Sequence, residues 1–158
     1  MSTTPVLYLK PRRAKPFFMR HPWVFSGAVG RVEGRPEKGA LVAVADADGR
    51  FVGRGLYNPD SQIVVRLLQW KQDEAVDDAF WRRRIEAAVR LRRDTLRLPE
   101  RTNAYRLVFS ESDGLPGLIV DRYADWLVVQ FLTAGMTQRA DLILDLLMEI
   151  AAPRGWWG

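Results

Sequence analysis

Apolar residues come in short runs through the first 70 positions and at helical spacing soon after. Val6–Leu9 is a brief apolar run, after which Pro22, Gly27, Gly30, Gly34, Pro36 and Gly39 punctuate short segments. Residues 40–45 form a buried-type run. Asp46-Ala-Asp-Gly49 is a turn between it and residues 51–57. Tyr57-Asn-Pro-Asp60 makes another turn, and residues 62–70 alternate in part and are rich in Ile and Val. Short strands at this spacing, separated by Gly-rich turns, predict a small β-barrel.

A long helix is predicted next. Asp77 or Asp78 can cap it, and acids cluster at its start, as the helix dipole prefers. Trp81, Ile85, Ala88, Val89 and Leu96 fall on one stripe, and Pro99 ends the run. Arg82, Arg83, Arg90, Arg93 and Arg97 fall opposite, offset in part by Glu86 and Asp94. Such a stripe is either a solvated face or a track for a phosphate backbone. Strands are predicted over 105–110, 117–123 and 126–133, with Tyr123-Ala-Asp-Trp126 as a tight connection. A final helix spans about 137–152, with Ala140, Ile143, Leu144, Leu147, Ile150 and Ala151 on its apolar face and Pro153 as its stop. The last residues are Arg154-Gly-Trp-Trp-Gly158. Exposed tryptophans are costly unless covered, so a truncated or shifted reading frame stands beside a natural end. The pattern as a whole predicts an α+β chain in three segments. A barrel occupies 1–72, a connecting helix 73–100 and a small α+β domain 101–158.

Composition narrows the function classes. The 158 residues are 47% hydrophobic and include six Trp, enough for real cores. No apolar run is long enough to span a bilayer, and Met-Ser-Thr-Thr-Pro lacks the charged start and apolar core of a secretory signal. There is no Cys, which removes disulfides, thiolate metal sites and thiol nucleophiles together. A cytoplasmic protein without membrane contact is expected.

Charge adds a partner class. Residues 1–70 hold 11 Lys and Arg against 5 Asp and Glu, a net charge of +6. The remainder holds 13 against 14, a net charge of −1. The first 32 residues contain no acid at all, yet carry Lys10, Arg12, Arg13, Lys15, Arg20, Arg31 and the only histidine, His21. Phe17, Phe18, Trp23 and Phe25 are threaded among them. Cations neutralise phosphates and release counterions, and rings stack on unpaired bases. The leader is therefore expected to contact RNA. Arg12, Arg13, Lys15 and Arg20 are the phosphate candidates, since Arg can grip phosphate as a fork and also stack on a base. His21 either hydrogen-bonds RNA or caps a turn. Trp23 and Phe25 alternate and so share one face, as barrel core by preference and as base-stacking rings otherwise. Arg54, between Gly53 and Gly55, is a secondary RNA contact.

Two stretches carry a resemblance. One is Arg20-His-Pro-Trp-Val-Phe-Ser-Gly-Ala-Val29 with Phe51-Val-Gly-Arg-Gly-Leu-Tyr-Asn-Pro-Asp-Ser-Gln62. The other is Phe109-Ser-Glu-Ser-Asp-Gly-Leu-Pro-Gly-Leu-Ile-Val-Asp-Arg-Tyr123. In these segments, their order and their spacing, the chain resembles the N-terminal part of the large-subunit rRNA cytosine-C5 methyltransferases, which depend on S-adenosylmethionine. The resemblance covers nearly the whole chain. It implies an RNA-binding PUA domain, then a small α+β domain, then a Rossmann-like catalytic domain of roughly 150–250 residues outside this sequence. It also implies rRNA as partner, with the missing methyltransferase domain or a second copy of the chain as further candidates.

Little chemistry is expected within these residues. Methylation at cytosine C5 usually proceeds through thiolate attack at C6, and there is no Cys. Gly114-Leu-Pro-Gly117 is the nearest candidate for a cofactor loop, but it precedes a strand, not a helix, and is read as a turn. With His21 alone, triads and paired-His metal sites are excluded or improbable. Glu111, Asp113, Asp121 and Asp125 could gather around Mg²⁺, against the preferred reading as turn residues and an Asp121 ion pair with Arg122 or Arg106. The expectation is a non-catalytic RNA-binding fragment that holds no cofactor itself, S-adenosylmethionine belonging to the full-length parent. The rivals are a protein-interaction or stand-alone PUA module, or an inactive truncated product.

Overall fold

The computed structural model describes residues 4–158, which divide into two compact units with the boundary between Ala75 and Val76. The first unit holds six strands: β1 (Val6–Leu9), β2 (Trp23–Phe25), β3 (Val29–Glu33), β4 (Leu41–Ala45), β5 (Phe51–Tyr57) and β6 (Ile63–Gln69). A single helical turn, α1 (Lys15–Phe18), lies between β1 and β2. The strands form one sheet in the order β2-β6-β5-β4-β1-β3, antiparallel except for the parallel pair β1 and β4.

This order forces curvature. Strands β2 and β3 lie at opposite ends of the sheet, yet only the 3-10 turn Ser26–Ala28 joins them. Three linking residues reach at most about 14 Å. Five inter-strand spacings laid flat would separate the two edges by about 24 Å. The sheet therefore curls until its ends approach, giving the small barrel expected from the turn spacing. Alternation fills it: Leu7, Leu9, Val24, Val42, Val44, Val52, Val65 and Leu67 point inward, and Phe17 of α1 joins them. Strands β5 and β6 come closest at a bulge beside Gly55, where an added Cβ would strike the Arg66 carbonyl oxygen, so only glycine fits.

The second unit opens with α2 (Asp78–Arg90), capped by Asp77, whose carboxylate accepts the Phe80 amide at 2.8 Å. Phe80, Trp81, Ile85, Ala88 and Val89 are buried. The helix ends earlier than Pro99. At Leu91–Thr95 it widens into a π-type turn, with the Leu96 amide donating to the Leu91 carbonyl. The wider turn breaks the 3.6-residue phase, so Leu96 leaves the buried stripe and is 47% exposed. Arg97 then turns left-handed, at φ 51°, before a short 3-10 turn over Leu98–Glu100. Three of the five arginines expected on the basic face are held in ion pairs. Arg82 forks onto Glu149 at 2.7 Å on both arms, Arg93 pairs with Asp94, and Arg97 with Glu100. Helix α2, read from sequence as a separate connector, packs on elements of the second unit.

The remaining elements are β7 (Ala104–Phe109), β8 (Leu118–Tyr123), β9 (Trp126–Phe131), α3 (Ala134–Thr137), α4 (Ala140–Ala151) and β10 (Gly155–Trp157). They form a sheet ordered β10-β9-β8-β7. The helix expected over 137–152 is α4, which starts three residues later, at Ala140, after the separate turn α3, and it buries Leu146 with Ile143, Leu147 and Ala151. The terminal tryptophans are not a loose tail. They form β10, paired parallel to β9, with the Trp157 ring 5.8 Å from that of Trp126.

Candidate nucleic-acid interface

The leader is built as a brace around α1. After β1, Lys10 donates its amide to the Ala28 carbonyl at 2.9 Å, and the Arg13 amide closes a turn onto the Lys10 carbonyl. Pro16 suits the first turn of α1, where its missing amide is not needed. Arg20 and His21 fold back onto the Phe17 and Pro16 carbonyls. Arg12 and Arg20, one on each side of the helix, both have φ of 64°. A left-handed non-glycine residue costs roughly 1–2 kcal/mol, so the surrounding hydrogen bonds hold both arginines in place.

Two hollows flank this brace. One, of about 590 Å³, is lined by Lys10, Arg12, Lys15, Phe18, Asp46, Asp48 and Arg50, among others. Within it Asp46 accepts the Arg50 and Asp48 amides at 2.9 and 3.0 Å and pairs with the Arg50 guanidinium at 3.2 Å. These bonds, the Arg50 amide first, hold the Asp46 carboxyl below the ordinary carboxylate range against a partial desolvation. Asp46 is thus matched by Arg50. Even counting Asp48, the cations Lys10, Arg12 and Lys15 leave the hollow net positive. The Arg50 guanidinium also lies 4.2 Å from the Phe18 ring centre.

The other hollow, of about 430 Å³, is an aromatic slot lined by Arg13, Pro16, Phe17, His21, Trp23, Phe25, Gly27 and Ala28. Phe17 is buried and forms its inner wall, while Trp23 and Phe25 are 36% and 45% exposed. This corrects the preference for Trp23 and Phe25 as barrel core. In the three-residue strand β2 it is Val24, fully buried, that points inward, so its neighbours must point out. His21 accepts the Trp23 amide on Nδ1 at 3.3 Å, which leaves the proton of the neutral ring on Nε2, a donor.

The structure therefore divides the predicted residues. Arg12 and Lys15 line the cationic hollow, and Arg13, His21 and Trp23 line the aromatic slot. Arg20 lines neither but is exposed beside α1. No ion pair engages Arg12, Arg13, Lys15 or Arg20 among the described residues. Arg54 stands apart. Its guanidinium donates to the backbone carbonyls of Lys71, Gln72 and Glu74 at 2.9–3.2 Å, which makes it a brace for that segment. Lys10 and Arg50 were absent from the sequence-derived site. The Asp46-to-Gly49 turn is the signal for Arg50, because a tight hairpin fixes the residue that follows it.

The candidate acids of the second unit are engaged separately. Asp113 pairs with Arg92, Asp121 with both arms of Arg106, and Asp125 with Arg154. The Gly114-to-Gly117 loop is filled by the protein itself. A Cβ on Gly114 would lie 2.5 Å from Arg84 Nη1, and one on Gly117 would lie 2.5 Å from the Thr133 side chain. Both glycines permit close internal packing at positive φ.

Residues 7–70 match the family of PUA-like domains. The first unit is thus a PUA-like domain in an α+β chain. Ribosomal RNA large subunit methyltransferase I of Erwinia tasmaniensis is 47% identical over 141 residues, covering 89% of this chain and 35% of the relative. The protein of the same name from Alteromonas mediterranea is 46% identical over 136 residues, covering 86% and 34%. The chain is a homologue of the N-terminal portion of ribosomal RNA large subunit methyltransferase I, and it spans about a third of the length of these relatives. Among solved structures, a Streptococcus mutans protein assigned as a SAM-dependent methyltransferase superposes with a TM-score of 0.78 at 16% identity, over 94% of this chain and 38% of that one. SMU.776, assigned as a methyltransferase and complexed with SAH, gives a TM-score of 0.72 at 16% identity, over 94% and 37%. No helix of the described residues is long and apolar enough to cross a membrane.

Proposed function

We propose that this chain is the RNA-docking portion of an rRNA methyltransferase, binding large-subunit rRNA through the cations around α1 while the methyl transfer belongs to a catalytic domain outside these residues. The observation that carries this reading is the set Arg12, Arg13, Lys15 and Arg20, all exposed and none in an ion pair among the described residues. Charges left unneutralised on a protein are available to displace counterions from a polyanion. The homology to proteins named for rRNA methylation supports the same partner. S-adenosylmethionine belongs to the parent enzyme in this reading. By its own residues the fragment supplies binding and orientation only.

Equilibrium binding of the full chain to deproteinised large-subunit rRNA tests the reading. Binding that weakens when Arg12, Arg13 and Arg20 are changed together to Ala is expected. Absence of binding at low salt would remove it.

The protein-interaction alternative has one observation in its favour. The apolar face of α4 is spent inside its own unit, with Ile143 and Leu147 fully buried. On the sheet of that unit, however, Tyr123, Trp126 and Trp157 are 54%, 43% and 65% exposed, a surface suited to a protein partner.

A further inference from the structure

We infer that the first unit takes a single RNA strand across α1, with one unpaired base in the aromatic slot and a neighbouring phosphate in the cationic hollow. The inference rests on the RNA-docking reading of the same surface and deepens it, because it specifies an unstacked nucleotide instead of a duplex.

Both hollows share α1 as their dividing wall. Lys15 and Phe18 line the cationic side, and Pro16 and Phe17 line the aromatic side. A helix with its side chains is about 10–12 Å across, and this one is a single turn. A chain in which charge and flat faces alternate along its length suits a cationic and an aromatic site divided by a single helical turn.

The slot is shaped for a flat face. The Trp23 and Phe25 rings meet at 88° with centroids 6.4 Å apart, and Trp23 meets His21 at 88°. The rings are therefore not stacked face on face, and Trp23 and Phe25 both keep exposed surface. Beside them, a Cβ built on Gly27 would meet nothing within 4 Å. No acid lines the slot, whereas Arg13 does, and the Arg66 guanidinium lies 5.7 Å from the Trp23 ring centre. Its volume falls in the ordinary range for small-molecule sites, about 300–1,000 Å³. A duplex cannot use it, since stacking covers both faces of each base, and aromatic side chains reach bases only where they are splayed out. Arg13 and His21 bring polar groups to the slot, and every base offers acceptors to such donors. The cationic hollow complements it as a positioning contact that carries no sequence information.

The test uses the full 158-residue chain, a short mixed-sequence RNA as single strand, and the same RNA annealed to its complement. Trp23→Ala with Phe25→Ala should weaken single-strand binding by roughly 5- to 150-fold, the loss of one stacked base. The salt slope and duplex binding should be unchanged, and Trp23→Phe should restore most of the loss. Arg12→Ala with Lys15→Ala should instead flatten the salt slope for both RNAs. An unchanged thermal transition in these surface variants excludes misfolding. Single-strand binding that survives the aromatic changes while falling with the cationic ones overturns the slot and leaves RNA docking standing. Equal competition by poly-glutamate overturns it in favour of an acidic protein partner. Failure of the unaltered chain to bind either RNA removes both readings.

Discussion

The indole Nε1 of Trp70 donates to the carbonyl oxygen of Phe17 at 3.0 Å, joining the end of β6 to α1 across 53 positions of sequence. Phe17 is the residue that α1 sends into the barrel core and the inner wall of the slot. Behind Trp70, Arg54 holds the carbonyls of Lys71, Gln72 and Glu74. The candidate interface is thus fixed from the core outward.

Trp70→Phe tests this brace. It keeps an aromatic body but loses the donor, leaving the Phe17 carbonyl without its partner. A loss of about 1 kcal/mol is expected in urea unfolding. A looser α1 should also weaken single-strand RNA binding severalfold by fluorescence anisotropy, with the duplex less affected.

In the second unit, the ion pair of Arg92 and Asp113 is 2.5 Å long, with the two side chains only 11% and 6% exposed. Asp113 also accepts the Phe109 amide at 2.6 Å, and Arg92 the role of donor to the Ala88 carbonyl. Removing one partner strands a charge. Asp113→Ala should therefore cost about 3–5 kcal/mol, whereas Arg92→Met with Asp113→Leu should cost far less. Comparing the unfolding midpoints of the single and double variants measures the difference. Equal losses would show that the pair is not the buried element described.

The Asp46 carboxyl gives the first unit a pH dependence of known sign. Its folded value lies below the unfolded one, chiefly because the Arg50 amide favours the ionised form. The resulting stability is complete above the ordinary Asp value of about 3.9 and is lost as pH falls through the lower folded value. Asp46→Asn should flatten that acid limb while changing little of the pH dependence near neutrality. Urea midpoints measured against pH, for both proteins, check it.

Much of the first unit was legible from turn chemistry. Gly49 and Asn58-Pro59 bracket β5, and the runs between them became strands with nearly the expected bounds. What stayed hidden depended on tertiary placement. Helix α1 is four residues long, too short for any periodicity. Alternation put Trp23 and Phe25 on one face but could not say which, and the smaller Val24 won the interior. The leader's positive charge was visible, but its division between two hollows follows from α1. Arg54 resembles an outward contact in sequence, because nothing there shows the backbone carbonyls that surround it. The end of α2 was misjudged because a π-type turn leaves no apolar mark, and β10 because three residues carry no pattern.

The most direct measurement is the salt dependence of RNA binding by the full chain and by its Arg12→Ala, Arg13→Ala, Arg20→Ala variant. A plot of log affinity against log salt for a single-stranded RNA should fall steeply for the unaltered chain. The variant should show a slope smaller in magnitude by about 2, as three lost phosphate contacts require. Identical slopes, or an affinity indifferent to salt, would contradict the assignment of this surface to a phosphate backbone.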